Sequence, residues 1–423
     1  MNYKVDVKNL ELADKHKPRL VVFDIEGVLI PKNRFVFDVG RSLGFKQLLK
    51  MLFIGFLYEA GIIKLKSALE HIFEIMKGIK VEILIKIFDE IPSKLQLQSF
   101  FTQLKIRNCK IALISSGIPT ILVKKMAKSL GADYAFGIEI GTNNGVLTGE
   151  VWGDAIEANG KRAVLKQIIK AERLNLKDCI IVADDRNNSC IFLSGTYNIG
   201  YNPDFVLRVK ADIVVSGELA KILNAIDGEP TLKSLPSKNA LLREIIHASG
   251  FFIPIVAQSI GVYSVSLMIC AVSALYGLSE IYRMNRQNLP VISTITRNTA
   301  SASELYEFAA APLYFAAGIL LTLLLFPAPI RGASIAIFTI GDSTASLFGG
   351  LISKKPLPFN KGKTLEGSFL GFFFAFLAGS FFVAPMIALI AAALAMLVES
   401  LPLPINDNIL MPLSTGLILM LMI

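Results

Sequence analysis

Arg19-Leu20-Val21-Val22-Phe23-Asp24-Ile25-Glu26-Gly27-Val28-Leu29 is the stretch on which the fold turns. A short apolar run closes on two carboxylates, one residue apart, and then a glycine. A run of that length bounded by polar residues reads as a strand buried on both faces. Two further stretches have the same design. Residues 110–116 are apolar and end in Ser115-Ser116-Gly117, and residues 178–183 end in Asp184-Asp185. The segments 119–130 and 161–171 between them read as helices. Strands alternating with helices predict a parallel sheet covered on both faces. In such sheets ligands gather at the carboxyl ends of the strands, where these polar residues fall.

The order Asp-x-acid, Ser, Lys, Asp resembles the haloacid dehalogenase superfamily of phosphohydrolases. The strings Gly145-Val146-Leu147-Thr148-Gly149-Glu150-Val151 and Asn159-Gly160-Lys161 resemble its phosphoserine phosphatase subgroup. The resemblance covers residues 18–226 and implies a Rossmann-like α/β domain with a helical cap over about 30–100. It also implies roles. Asp24 is the nucleophile that forms an aspartyl-phosphate. Mg²⁺ sits on Asp24, the Glu26 backbone carbonyl and Asp184. Ser115 hydrogen-bonds the phosphoryl oxygens, Lys161 offsets the negative charge, and Ser116, Gly117, Asn187 and Asn188 line the substrate. The sequence departs from the pattern at three positions. Glu26 replaces the usual second aspartate, which serves as general acid to the leaving group. Asn188 replaces the usual acid of the fourth motif, and Asp185 takes a position that is normally glycine. The subgroup's substrate-binding glutamate falls at Asn33 and its cap arginine near Ile72, so an amino-acid substrate has little to bind.

The chain divides sharply in charge. Residues 239–423 hold nine Lys/Arg and eight Asp/Glu, whereas residues 1–238 hold 34 and 26. The whole chain of 423 residues is 53% hydrophobic and 18% charged, below the usual charged share of about 25%. Disorder and a single soluble domain are both excluded. The first part reads as soluble and basic, and the second as membrane. A basic domain tethered to a bilayer most simply faces anionic lipid. No nucleic-acid recognition motif is present. Cys109, Cys179, Cys190 and Cys270 lack metal-ligand spacing and suggest no disulfide framework.

Five stretches nearly free of charge lie at 248–279, 308–330, 332–353, 369–398 and 408–423. The first and fourth exceed one span of about 20 residues. Splitting them, the fourth near Gly379 and Pro385, gives an all-α polytopic domain of about six or seven helices. Cationic residues mark cytoplasmic loops. Arg283, Arg286 and Arg297 mark one, Lys354, Lys355, Lys361 and Lys363 another, and the opposite side carries only Arg331. The N-terminal domain is expected on the cytoplasmic side of a multi-pass cell-membrane protein. Asp342 sits inside an apolar span, where a carboxylate costs at least about 2.5 kcal/mol. It is expected at a helix end beneath a cytoplasmic loop, either reaching the interface or meeting a metal or lysine.

Gly341-Asp342-Ser343-Thr344-Ala345-Ser346 and Lys361-Gly362-Lys363-Thr364-Leu365-Glu366-Gly367-Ser368 resemble the CTP-dependent polyprenol kinases, the dolichol, phytol and farnesol kinase family. Arg243-Glu244-Ile245-Ile246-His247 resembles that family's opening motif, with Glu244 in place of a lysine. Glu399 and Asp407-Asn408 resemble its closing element. The resemblance covers about 240–423 and implies CTP as phosphoryl donor to an isoprenoid alcohol. Gly362-Lys363-Thr364 is not a P-loop, because position 357 is leucine where that loop needs glycine. Phosphoryl transfer from a nucleotide needs Mg²⁺ and cations. Asp342 and Asp407, with Glu366 or Glu399, are candidate ligands, and Lys361 and Lys363 are candidate phosphate clamps. Arg243, His247, Thr364, Glu366, Gly367, Ser368, Glu399 and Asn408 complete the expected site. The general base is open between His247 and Asp342.

The cap segment 44–64, GFKQLLKMLFIGFLYEAGIIK, has little polar face. It reads either as cap core or as a surface that dips into a membrane or accepts a prenyl chain. Residues 1–17 form an extension, and 227–240 a linker before the membrane domain at 241–423. The expected protein is bifunctional, a phosphohydrolase acting on a lipid or other phosphomonoester joined to a polyprenol kinase. The alternatives are a phosphatase on a non-catalytic anchor, or a kinase with a degenerate phosphate-sensing domain.

Overall fold

The computed structural model describes residues 19–59, 62–92, 97–157, 159–228, 238–284, 308–352, 356–403 and 405–423. The extension 1–17, most of the linker, Arg286, Arg297, Lys354 and Lys355 lie outside the described residues. The chain forms two compact units, Met1–Thr231 and Leu232–Ile423.

The first unit is built on a seven-stranded sheet of β1 (Arg19–Asp24), β2 (Cys109–Pro119), β3 (Tyr134–Asn143), β4 (Val146–Trp152), β5 (Cys179–Ala183), β6 (Tyr197–Tyr201) and β7 (Ile213–Val215). The order is β4-β3-β2-β1-β5-β6-β7. Only β4 pairs antiparallel. β1 lies at the centre, and its side chains alternate between two cores. Val21 and Phe23 join one, where Phe23 meets Phe101 at 5.4 Å. Leu20 and Val22 join the other, with Val164, Leu165 and Ile168. Burial on both faces is why these strands are continuous apolar runs.

Four helices follow β1: α1 (Arg34–Leu43), α2 (Phe45–Glu59), α3 (Leu65–Ile75) and α4 (Val81–Glu90). They occupy the segment read as the cap. Phe35 of α1 meets Phe88 of α4 edge-on at 6.2 Å, and Ile72 of α3 is buried in the same core. α2 contributes Met51 to that core, whereas Phe45, Leu49, Leu52, Phe53 and Phe56 stay exposed. The rest of the unit supplies α5 (Leu97–Ile106), α6 (Thr120–Leu130), α7 (Gly160–Ala171), α8 (Phe205–Lys210) and α9 (Lys221–Ile226).

The second unit is helical. Its elements are α10 (Lys238–Ser249), α11 (Ile253–Ile260), α12 (Val262–Met284), α13 (Ala311–Leu325), α14 (Ile330–Ile352), α15 (Leu365–Gly379), α16 (Pro385–Ser400) and α17 (Asp407–Met422). α10 starts inside the segment read as linker. Lys238–Ile260, Val262–Arg283 and Ile330–Leu351 are each long and apolar enough to cross a membrane, and α13, α15, α16 and α17 are shorter apolar helices. The break near Gly379 and Pro385 falls between α15 and α16 as expected. Small residues allow close helix approach: Ala388, Ala391, Ala392 and Ala395 of α16 are fully buried, and a Cβ on Gly371 would come within 2.9 Å of the Gly341 carbonyl.

Candidate active site

β1, β2 and β5 run parallel, so their carboxyl ends deliver Asp24, Ser115 and Asp184 to one edge. Asp24 pairs in register with Ile114, the residue before Ser115, and Phe23 pairs with Val182. Asp24, Ser115, Lys161, Asp184 and Asn188 are all buried. Lys161, at the start of α7, donates to Asp24 Oδ1 at 3.0 Å and to Asn188 Oδ1 at 2.7 Å. Asn188 Nδ2 donates to Asp24 Oδ2 at 2.5 Å and to Asp185 Oδ1 at 3.0 Å. The asparagine therefore bridges Asp24, the lysine and a neighbouring carboxylate, a set of bonds that an ionised aspartate there could not make.

The Ser115 hydroxyl oxygen accepts from Gly117 N at 3.1 Å and Ile118 N at 3.0 Å. These bonds leave its proton available to donate to a ligand. Ser116 and Gly117 continue the same turn. A Cβ on Gly117 would stand 2.4 Å from Glu26 Oε2, and one on Gly27 (φ +78°) would stand 1.9 Å from Asp184 Oδ2. Both glycines are empty because a functional carboxylate fills the space.

One oxygen each of Asp24, Asp184 and Asp185 lies within 4.8 Å of the others. Asp184 Oδ1 is buried with no hydrogen-bond partner. Lys161 and Lys32, the latter 3.1 Å from Asp185, are the cations within reach. A cluster of hard oxygen donors with surplus negative charge and an unpartnered buried oxygen fits Mg²⁺. Burial first, and then Asp24 and Asp185, pushes Glu26 up to about 7. Burial likewise raises Asp24 and takes Asp184 well above the usual carboxylate range. Burial works to lower the Lys161 amine, but Asp24 and Asp185 outweigh it and its value rises. Lys161 therefore stays charged, and Glu26 holds a proton near neutrality, as a general acid must.

The structure adds residues that the sequence reading gave no site role. Asp185 is the third carboxylate of the cluster, and accepts from the Asn187 backbone at 3.1 Å. The Tyr58 hydroxyl of α2 donates to Asn187 Oδ1, and the Tyr58 carbonyl accepts from Arg186 at 3.1 Å. Asn187 thus ties the catalytic loop to the cap. Asn33 is exposed and Ile72 is buried in apolar packing, so neither position supplies the charge that would hold an amino acid.

The second unit gathers most of its expected residues as well. His247 lies 3.0 Å from Ser343 Oγ, 3.3 Å from Asn408 Oδ1 and 3.6 Å from Asp342. Lys363 pairs with Glu399 and lies 3.6 Å from Asp407. Thr364 caps α15 through Gly367 N at 3.3 Å, and Ser368 lies 3.1 Å from Ser400. Glu244 accepts from Arg243 at 3.0 Å and from Ser346 at 3.0 Å. Lys361 and Glu366 are half-buried on either side of Thr364. Asp342 corrects an expectation. It lies near the middle of the 23-residue α14 and not at a helix end. It is held there by a neighbouring helix, where His247 approaches it.

Residues 21–187, within the first unit, match the family of haloacid dehalogenase-like hydrolases. Within that class the unit is phosphoserine-phosphatase-like. It is 29% identical over 213 residues to the phosphoserine phosphatase of Methanocaldococcus jannaschii, covering 50% of this chain and 98% of that protein. It is 28% identical over 200 residues to that of Archaeoglobus fulgidus, covering 47% of this chain and 57% of that protein. A solved phospho-aspartyl intermediate analogue of phosphoserine phosphatase is 27% identical, with a TM-score of 0.45, over 49% of this chain and 99% of that one.

Proposed function

We propose that the chain is a bifunctional membrane enzyme. Its first unit hydrolyses a phosphomonoester through an aspartyl-phosphate, and its second phosphorylates an isoprenoid alcohol from CTP. The observation that carries the first activity is the buried Asp24–Lys161–Asn188 network beside Asp184 and Asp185. Asp24 attacks phosphorus while Glu26 protonates the departing oxygen; water then attacks the acyl phosphate with Glu26 as base. Ser115 and Lys161 hold the phosphoryl oxygens. Mg²⁺, bound by Asp24 and Asp184 with Asp185 beside them, supplies charge neutralisation at the phosphoryl group. Phosphoserine is not the favoured substrate, because Asn33 and Ile72 stand where its charges need partners.

The kinase reading rests on the ordered resemblance over 240–423 and on the convergence of His247, Asp342, Lys363, Glu399, Asp407 and Asn408 from four helices and a loop. Lys363 supplies a cation for phosphate, and Asp342 and Asp407 supply oxygen ligands for Mg²⁺. In this reading the site faces the cytoplasm, as does the first unit. The test is transfer of label from γ-labelled CTP, against ATP, to farnesol, phytol, geranylgeraniol and dolichol by the full chain. Label from CTP that is lost in Asp342→Asn supports the kinase. A rise in labelled lipid with Asp24→Asn places both activities on one lipid. No labelled lipid from any alcohol or nucleotide, with intact phosphatase turnover, leaves an anchored phosphatase.

A further inference from the structure

The cap helix α2 presents an apolar face that nothing among the described residues of its own unit covers. Phe45, Leu49, Leu52, Phe53 and Phe56 are 75%, 50%, 45%, 60% and 64% exposed. Their spacing puts all five on one stripe of the helix. Lys46 and Lys50 are exposed beside the stripe, and no acidic residue precedes Glu59 on this helix. A helix with aromatic and aliphatic residues on one face and lysines at its margin has the form of one lying in a membrane interface. The charge balance agrees, since residues 1–238 hold 34 Lys/Arg against 26 Asp/Glu. The same chain carries three helices long and apolar enough to cross a membrane.

We propose that this face of α2 inserts into the headgroup–acyl boundary of an anionic bilayer. The opposite face of the same helix reaches the catalytic loop. Tyr58, on the last turn of α2, donates its hydroxyl to Asn187 and accepts from Arg186 at its carbonyl, and Asn187 donates to Asp185 at 3.1 Å. With one face of α2 docked, the other holds Tyr58 against the catalytic loop, so the cap meets that loop close to the lipid surface. Resting on the phosphatase reading above, this makes the substrate a phosphomonoester carried by a lipid and presented from the bilayer.

The test uses the full chain in proteoliposomes. Trp152, in β4, is the only tryptophan; it is replaced by phenylalanine, and Phe53→Trp places the probe on α2. Insertion predicts blue-shifted emission and at least twofold quenching by lipids spin-labelled high on the acyl chain. Both effects should be stronger with phosphatidylglycerol than with phosphatidylcholine alone, and the double change Lys46→Glu, Lys50→Glu should weaken that preference. Emission unchanged between lipid compositions and unquenched by spin-labelled lipid would overturn the proposal. Leu52→Glu with Phe56→Glu separates docking from catalysis. Turnover of a vesicle-borne prenyl phosphate should fall at least tenfold, while that of soluble para-nitrophenyl phosphate stays within twofold. Equal loss on both substrates, or no loss on either, contradicts a docking role. Absence of both activities in the unmodified chain contradicts the phosphatase reading instead and leaves the quenching result to decide docking alone.

Discussion

Asn188→Asp restores the acid that related sequences lead one to expect, and it should weaken this protein. The amide Nδ2 donates to Asp24 and to Asp185, and the amide oxygen accepts from Lys161. An aspartate keeps the bond to Lys161 and loses both donors. The loss of one buried hydrogen bond to a charged group costs about 1.5–3 kcal/mol. The new oxygen also faces two carboxylates, whose repulsion at about 3 Å is on the order of 5 kcal/mol at an effective dielectric of about 20. The Lys161 amine, which donates to the same oxygen at 2.7 Å, offsets much of that, so the net penalty of the ionised form is set at about 3 kcal/mol. For a unit of this size that corresponds to a melting midpoint lowered by roughly 6–12 °C. The assay is fluorescence of Trp152, which lies in the first unit and reports its unfolding within the full chain. The measurement is made in EDTA at pH 8 and pH 5. The introduced carboxyl has a folded pKa raised above its unfolded value of about 3.9. Its penalty is therefore complete at high pH and fades as pH falls, when the protonated acid can again donate to Asp24. A midpoint equal to or above that of the unmodified chain at pH 8 would refute the account of Asn188 as a required donor.

Other outcomes follow from the same geometry. Asp24, Glu26 and Asp184 are all raised by burial. Their charged forms oppose folding above the unfolded values, so the metal-free first unit should gain stability as pH falls from about 8 toward 5. Glu26→Gln should flatten that slope, and a midpoint that falls with pH over this window would contradict it. Gly27→Ala places a Cβ 1.9 Å from Asp184 Oδ2 at φ +78°; it should abolish the stabilisation by Mg²⁺ seen in Trp152 melts, whereas a normal shift would show that Asp184 can move aside. Lys363→Met leaves Glu399, 1% exposed, buried without its cation. That should cost about 3–5 kcal/mol, read as a lower midpoint for heat-induced loss of helical circular dichroism of the full chain in detergent, with para-nitrophenyl phosphate turnover unchanged.

The parallel sheet was legible because β1, β2 and β5 are buried on both faces and so appear as unbroken apolar runs ending in Asp24, Ser115 and Asp184. Lys161 was legible from Asn159-Gly160-Lys161. Asp185 reads from the sequence only as a departure at a position that is normally glycine; the fold brings it against Asp24, Lys32 and Asn188. Tyr58 and Lys32 reach the catalytic loop from the cap, and no local pattern encodes such a meeting. The greasy segment 44–64 shows why composition cannot separate core from surface: Met51 is buried, and Phe53, two residues on, is exposed. The cost of a carboxylate inside an apolar span points Asp342 to a helix end, whereas it lies mid-helix. His247 comes from elsewhere in the chain to within 3.6 Å of it, and that is tertiary information.

The most direct test of the central claim is to trap the covalent intermediate. The full chain is mixed with a ³²P-labelled phosphomonoester and Mg²⁺, quenched in acid within milliseconds, and digested. The account predicts label that is stable in acid, labile to hydroxylamine, dependent on Mg²⁺, carried by the peptide containing Asp24 and absent from Asp24→Asn. Turnover of the substrate with no label on that peptide, or with label that survives Asp24→Asn, would contradict it.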